Sequence, residues 1–402
     1  MPSAAKPLLL VFPFGYLSHY LRCLVLSRHL APSFDVRFAA HPLYDGLVQL
    51  EGFDTFPCAR MDEHATLQYA KNFDFTWLNA DSLSRSYTEQ LRIITQMRPQ
   101  AVLGDAQPAL KMAAEKAGTP FIALMNGYMS KYFAGSRAIS RTHPYYAWVR
   151  LLPHMVRARV TALGESIAMK KVHQPFAGIR RAQGLSRQQR FPDELEGDFN
   201  LICDLPQLFP QHSLPGNYRV TGPLNYEGQE HLGLQSRIDP TRKTLLVSMG
   251  STGSWEQVSW LSGPGFREYN IITAGDQDGF VKGSHVIKTA FAAAAEVMPL
   301  ADLVICQGGN GTIYQALSYG VPLLCSTVHF EQEWNAAALE KAGLGRCLNG
   351  ISDLATRKSL VDGWCRKKKS PAFEQVMQEI AQYTAQLPQV LEEVCRKILR
   401  HD

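Results

Sequence analysis

Short apolar runs alternate with longer amphipathic stretches along most of the chain, and their order predicts an α/β fold built on parallel sheets. The first series opens with a strand at Pro7–Pro13, a helix over about Tyr20–Leu30 and a strand near Phe34–Ala40, followed by a weaker strand around Phe53–Ala59. A more polar, helical region runs on to Met97. The strand Ala101–Asp105 then leads into a helix over Ala109–Ala117, with Gly118 as its stop and Pro120 opening the strand Phe121–Met125. A basic, aromatic region of helices and loops ends near Arg190, and Phe199–Cys203 reads as another strand. The Pro/Gly-rich stretch Leu214–Leu224 leads out of the first domain, and the polar residues 225–243 form a linker.

A second series follows at Thr244–Ser248, Asn270–Thr273, His285–Lys288, Leu303–Cys306 and Val321–Cys325, and Phe373–Leu399 has the apolar spacing of terminal helices. Two Rossmann-like domains are expected, at residues 1–235 and 236–402, with the C-terminal helices packing back toward the first. The 402 residues, 46% of them hydrophobic and 19% charged, suit two cores of ordinary size. No apolar run reaches the roughly 18 residues of a spanning helix. The start, one lysine before a short apolar run, fits a first strand better than a signal peptide. The eight cysteines are scattered without a C-x-x-C pair, which suggests neither a zinc site nor a disulfide framework and fits a reducing cytoplasm. Cys306 and Cys325 end apolar runs and read as small buried hydrophobes.

The net charge of +5 conceals an asymmetry: between Lys131 and Arg190 stand twelve Lys/Arg and one acid, Glu165, so that stretch carries +11 and the remainder −6. Tyr132, Phe133, Tyr145, Tyr146 and Trp148 lie within it. Aromatics among cations suit an anionic membrane surface or a lipid-linked acceptor, and equally a solvated face whose acidic partners come from elsewhere in the chain. The modest overall charge and the lack of a binding motif argue against nucleic acid.

The densest chemistry lies between Ala301 and Asn335. A strand ending at Cys306 meets a glycine-rich turn, Gln307-Gly308-Gly309-Asn310-Gly311, that opens into a helix with Thr312 as its expected cap. Such a turn is either a tight strand-to-helix connection or a backbone cradle for a pyrophosphate at the positive end of a helix. Glu331 and Gln332 follow the next strand and are expected beside that cradle, able to bond sugar hydroxyls; Glu331 also reads as an N-cap. His329 is a lesser candidate for a sugar or phosphate contact.

At these residues the sequence resembles the family-one UDP-glycosyltransferases. Gly309, Thr312, Gly320-Val321-Pro322, Glu331-Gln332 and Asn335 match the spacing of that family's donor motif, and Gly250-Ser251 resembles its second phosphate-contacting turn. Weaker similarity includes Leu205-Pro206-Gln207-Leu208-Phe209 and Thr221-Gly222-Pro223-Leu224. The resemblance implies two facing Rossmann-like domains, an acceptor site in the first, and donor contacts from Gly250, Ser251, Gln307, Gly309, Asn310, Gly311, Thr312, Gln315, Glu331 and Gln332. Gln307 replaces the usual histidine and Gln315 the usual ribose-binding glutamate; both keep hydrogen bonds but lose a charge. A neutral Gln315 suits a deoxyribose. The Pro-Gln pair expected near Ala292 is absent, leaving Phe291 as the nearest candidate for stacking on the base.

Inverting transfer needs a group to take the acceptor's proton, and histidine suits this near neutrality. His19 lies just past the first strand at a helix start, where the dipole favours a neutral ring. Asp105 ends the fourth strand. In the doubly wound order these two strands are neighbours, so Asp105 is placed to orient His19 at the carboxyl edge, and the resemblance assigns the same pair the catalytic role. No cluster has metal-ligand spacing, so no metal and no cofactor is expected beyond a nucleotide-diphosphate sugar as co-substrate. Sugar transfer competes with a nucleotide-sugar epimerase on the same scaffold and with a non-catalytic nucleotide-binding partner subunit.

Overall fold

The computed structural model describes residues 5–399 except 73, 142, 229–231 and 291–292. The stacking candidate Phe291 therefore lies outside the described residues. The chain divides into two compact units, Met1–Leu224 with Tyr383–Asp402, and Asn225–Gln382.

The first unit holds seven strands: β1 (Leu8–Pro13), β2 (Asp35–Ala39), β3 (Asp54–Phe56), β4 (Ala101–Asp105), β5 (Phe121–Met125), β6 (Phe199–Ile202) and β7 (Tyr218–Val220). They pair in the order β3-β2-β1-β4-β5-β6-β7, every pair parallel. The second unit holds β8 (Thr244–Ser248), β9 (Asn270–Ala274), β10 (Val286–Thr289), β11 (Leu303–Cys306), β12 (Leu323–Cys325) and β13 (Gly345–Cys347), in the parallel order β10-β9-β8-β11-β12-β13. Both sheets reverse strand order beside their first strand, the doubly wound arrangement expected from the apolar runs.

The reason is visible in the strands. Leu9, Leu10 and Val11 in β1 and Leu303, Val304 and Ile305 in β11 are fully buried, as continuous apolar runs must be when helices cover both faces of a parallel sheet. Helices that cover the sheet bury an apolar face against it. In Ala80–Met97, Leu83, Tyr87 and Ile94 are buried, and the helix starts where the Asn79 side chain accepts from the Ser82 amide at 2.9 Å. Gly118 ends Leu110–Ala117 in the left-handed region, at φ 66°.

Several boundaries differ from the sequence-based expectation. The first helix runs from Leu17 to Leu30, three residues earlier than expected, because nothing after Gly15 breaks it. The short edge strand β7 was hidden by the turn residues Pro215 and Gly222 on either side. The basic region contains one 30-residue helix, His154–Gln183. The helix Leu354–Cys365 was not anticipated. The C-terminal segment is a single helix, Pro371–Leu399. Its last turns belong to the first unit, where Arg219 Nε donates to Glu393 Oε2 at 3.0 Å.

Glycine packing gives a test of this unit. A Cβ on Gly197 would lie 2.3 Å from the Phe121 carbonyl oxygen in β5, whereas one on Gly46 meets nothing within 4 Å. Gly197→Ala should lower the urea unfolding free energy by about 1–3 kcal/mol, the usual cost of forced overpacking. Gly46→Ala, within the helix Asp45–Leu50, should leave it unchanged or raise it by up to about 1 kcal/mol.

Candidate active site

In the first unit, register decides what meets at the carboxyl edge. Pro13 of β1 pairs with Asp105 of β4, and the Phe14 amide donates to the Asp105 carbonyl at 3.0 Å. The chain turns at Gly15 and enters its helix at Leu17, so His19 falls in the first helical turn, directly over the end of β4. His19 Nδ1 lies 2.9 Å from Asp105 Oδ1. The His19 side chain is 16% exposed and that of Asp105 only 1%: one reaches toward solvent and the other lies beneath it.

A third member, not singled out from the sequence, completes the group. Arg22, one helical turn after His19, donates through Nε to Asp105 Oδ2 at 3.0 Å and through Nη2 to Oδ1 at 2.7 Å. Its Nη1 donates to Asn126 Oδ1 and to Cys203 Sγ, the latter at 3.2 Å. Nη2 also sits 3.0 Å from His19 Nδ1. The i, i+3 spacing of His19 and Arg22 was the available signal, since side chains so spaced share a helix face. Burial alone would push the Asp105 carboxyl up, but the Arg22 guanidinium and then His19 outweigh it and hold Asp105 below the usual carboxylate range. Burial likewise opposes the charge on Arg22, and the Asp105 carboxylate overrides it, so its pKa is raised further.

Beside this group at the same edge, a small open cleft is lined by Phe12, Phe14, Tyr20, Arg60, Ser86 and Gln107. Its walls mix the rings of Phe12, Phe14 and Tyr20 with polar side chains, Arg60, Ser86 and Gln107 among them, the last anchored by donation to the Pro13 carbonyl at 2.7 Å.

In the second unit, Cys306 pairs with Ser248 on one side and Cys325 on the other, so the three following loops gather at one edge. Gly308 adopts φ +89°, and a Cβ there would lie 3.1 Å from the Gln332 carbonyl oxygen. Only glycine meets both demands. Asn335 fixes this turn, donating to the Gly308 carbonyl at 2.9 Å. Gln332 binds the loops together: its Oε1 accepts from the Val328 amide at 2.8 Å and its Nε2 donates to Thr252 Oγ1 at 3.0 Å. Both ends of its amide are thus engaged within the protein. Glu331 is half-buried beside it.

Gln307 is 6% exposed and packs inward, its amide filling the space that a Cβ would claim on Gly250 or Gly309. Its Oε1 and the Oδ1 of Asn335 are buried with no hydrogen-bond partner among the described residues. Native proteins seldom leave such acceptors orphaned, which marks this turn as a place where a donor group or water is received. Gly250 and Ser251 are exposed after β8, and Gly311 is exposed at the start of the helix Asn310–Ser318. Gln315 donates to the Tyr226 carbonyl at 3.3 Å. His329 is buried.

Two capping expectations are corrected. Gly309 is the N-cap of Asn310–Ser318, with no side-chain cap, and Thr312 lies inside the first turn because the helix begins three residues earlier than a Thr312 cap requires. His329 precedes the helix Phe330–Ala342, so Glu331 lies within its first turn, where a carboxylate favours the dipole without capping.

Residues 245–363 match the glycosyltransferase family 28 C-terminal domain. Over 346 residues the chain is 28% identical to a PGL/p-HBAD biosynthesis glycosyltransferase of Mycobacterium tuberculosis, covering 82% of this chain and 77% of that protein. A PGL/p-HBAD biosynthesis rhamnosyltransferase of Mycobacterium bovis is 27% identical over 341 residues, 82% of this chain and 74% of the relative. The chain is a glycosyltransferase with the GT-B fold. Among solved structures, the spinosyn rhamnosyltransferase SpnG complexed with thymidine diphosphate shares the fold at TM-score 0.66 and 18% identity, covering 96% of this chain and all of that one. The glycosyltransferase SnogD from Streptomyces nogalater does so at TM-score 0.63 and 17% identity, covering 97% and 99%. This glycosyltransferase has no helix among its described residues long and apolar enough to cross a membrane.

The buried ion pair gives this transferase a pH-dependent stability. Arg22→Met strands the Asp105 charge and should cost about 3–5 kcal/mol near neutral pH. Because Asp105 titrates below its unfolded value of about 3.9, the pair's contribution is complete above that pH and is lost as pH falls through the lower folded value. The difference in urea unfolding between wild type and Arg22→Met should therefore shrink on acidification; a constant gap would exclude Asp105 as its source.

Proposed function

We propose that the protein is an inverting, metal-independent transferase of the cytoplasm, with peripheral membrane contact. It moves a hexosyl group from a nucleotide-diphosphate sugar to a hydroxyl of a small-molecule or lipid-like acceptor. The observation that carries this is the His19–Asp105 contact of 2.9 Å at the carboxyl edge of the first sheet. With its proton on Nδ1 and bonded to Asp105, His19 keeps the Nε2 lone pair for the acceptor hydroxyl. As the acceptor oxygen bonds to the anomeric carbon from the face opposite the leaving group, its proton passes to Nε2. The bond from that carbon to the diphosphate oxygen breaks, and the configuration inverts.

The departing diphosphate gains negative charge. The first amides of the helix Asn310–Ser318 and the exposed turn at Gly250 and Ser251 supply hydrogen bonds and a positive dipole end for it. This takes the place of a divalent ion, and no cofactor is used. Thymidine-diphosphate-linked rhamnose is the donor best supported. One relative is named a rhamnosyltransferase, and a protein of the same fold is complexed with thymidine diphosphate. Gln315, uncharged and already donating to Tyr226, also suits a sugar ring with one hydroxyl fewer than ribose. The cleft beside Phe14, where aromatic rings stand among Arg60, Ser86 and Gln107, supports an aromatic acceptor that also carries polar groups.

Three measurements test the reading. His19→Ala should lower kcat by about 10²–10⁴, the usual worth of a positioned base, with donor affinity by titration calorimetry nearly unchanged; unaltered turnover would remove His19 from the reaction. Transfer should survive exhaustive chelation with EDTA, and a loss restored by magnesium or manganese would refute metal independence. In a panel of dTDP-, UDP- and GDP-sugars, thermal stabilisation should be largest with the dTDP series; preference for a GDP-sugar would overturn the donor assignment.

A further inference from the structure

The segment 145–167 carries more exposed apolar surface than any other part of the first unit. Trp148 is 74% and Leu151 73% exposed, and Tyr145 and Met155 are nearly as open. Beyond them, Val156, Val160, Leu163 and Ile167 are exposed along the helix His154–Gln183, Leu163 by 65%. At 3.6 residues per turn these four fall within an arc of about 60°, a single stripe. The same geometry sets Arg159 and Lys170 along one border of the stripe and Arg157 and Lys171 along the other. A helix normally turns such a stripe toward a core. This one faces outward.

The charges around it identify the occupant. Glu165 is the one acid between Lys131 and Arg190, and it is taken by an ion pair with Arg137. Lys131 is paired with Glu196, and Arg180 with Glu115 and Glu194, so part of the +11 stretch is answered from elsewhere in the chain. Arg150, Arg159, Lys170 and Lys171 form no salt bridge among the described residues and are exposed. A second copy on this face would set two strongly basic surfaces against each other. An apolar stripe with basic borders, led by a tyrosine and a tryptophan that favour the boundary between water and hydrocarbon, fits an anionic bilayer on both counts.

We infer that residues 145–171 are a membrane-docking face, with Trp148, Leu151, Leu163 and Ile167 entering the acyl boundary of an anionic leaflet and Arg159, Lys170 and Lys171 at its headgroups. This narrows the peripheral contact in the functional reading to one face. Its test reads binding alone, so failure of the sugar-transfer chemistry leaves it standing.

The experiment is flotation of the full-length protein with phosphatidylcholine vesicles and with phosphatidylcholine/phosphatidylglycerol vesicles. Wild type should float with the anionic vesicles, stay behind with the neutral ones, and detach as salt is raised. The Leu163→Gln/Ile167→Gln variant should bind at least about tenfold more weakly with an unchanged melting temperature. Arg159→Ala/Lys170→Ala should bind less and lose part of the salt sensitivity. Failure of wild type to float with anionic vesicles would overturn the inference, as would equal flotation of the apolar variant. A wild-type dimer in light scattering that the Leu163/Ile167 variant converts to monomer would assign the face to a second copy and overturn it too.

Discussion

A carboxylate almost wholly removed from water stays ionised only if another charge answers it, and in this protein Arg22 answers Asp105. Two parallel hydrogen bonds, of 2.7 and 3.0 Å, match the guanidinium to the carboxylate. The remaining guanidinium donors go to Asn126 and Cys203, so the pair ties the first helix to β4 and to the segments after β5 and β6. His19 rests on this base. Its ring is oriented by a carboxylate whose charge Arg22 already answers.

Sheet topology makes this possible at little cost in chain. Neighbouring β1 and β4 end in register, so a helix leaving β1 has to pass over the end of β4. The second sheet repeats the device with different chemistry. There, three loops meet beyond β8, β11 and β12, and the side chains at their centre mostly hold one another: Gln332 grips Thr252 and Val328, Asn335 holds Gly308, and Gln307 fills the gap between two glycines. What the loops offer outward is chiefly backbone. This suits a diphosphate, which asks for N–H groups and a helix end more than for side chains.

Much of this was legible in the sequence, for physical reasons that also mark where legibility ended. Continuous apolar runs reported buried parallel strands, and turn glycines reported their ends, so β1, β4, β5, β8 and β11 were placed within a residue or two. The His19–Asp105 contact followed from strand order alone. Arg22 was missed because a lone arginine in an amphipathic helix looks like surface until its partner's burial is known. The edge strand β7 was missed because three residues between turn-formers leave no period to detect. Thr312 and Glu331 were given capping roles that fell elsewhere, since local composition does not fix a helix start to the residue. The basic region was visible as charge, but which of its cations face solvent beside the apolar stripe required the helix itself.

The proposed chemistry requires the buried pair to hold His19 with its proton on Nδ1, leaving Nε2 free to accept. Nδ1 stands 2.9 Å from a carboxylate oxygen and 3.0 Å from a guanidinium nitrogen, and these demand opposite tautomers. The direct measurement is a long-range ¹H–¹⁵N correlation spectrum of ¹⁵N-histidine-labelled protein at about pH 8, where an ordinary imidazole is neutral, with His19 assigned by its loss in His19→Gln. The Nδ1–H tautomer is the expected result. An Nε2–H tautomer, with Nδ1 accepting from Arg22, would contradict it.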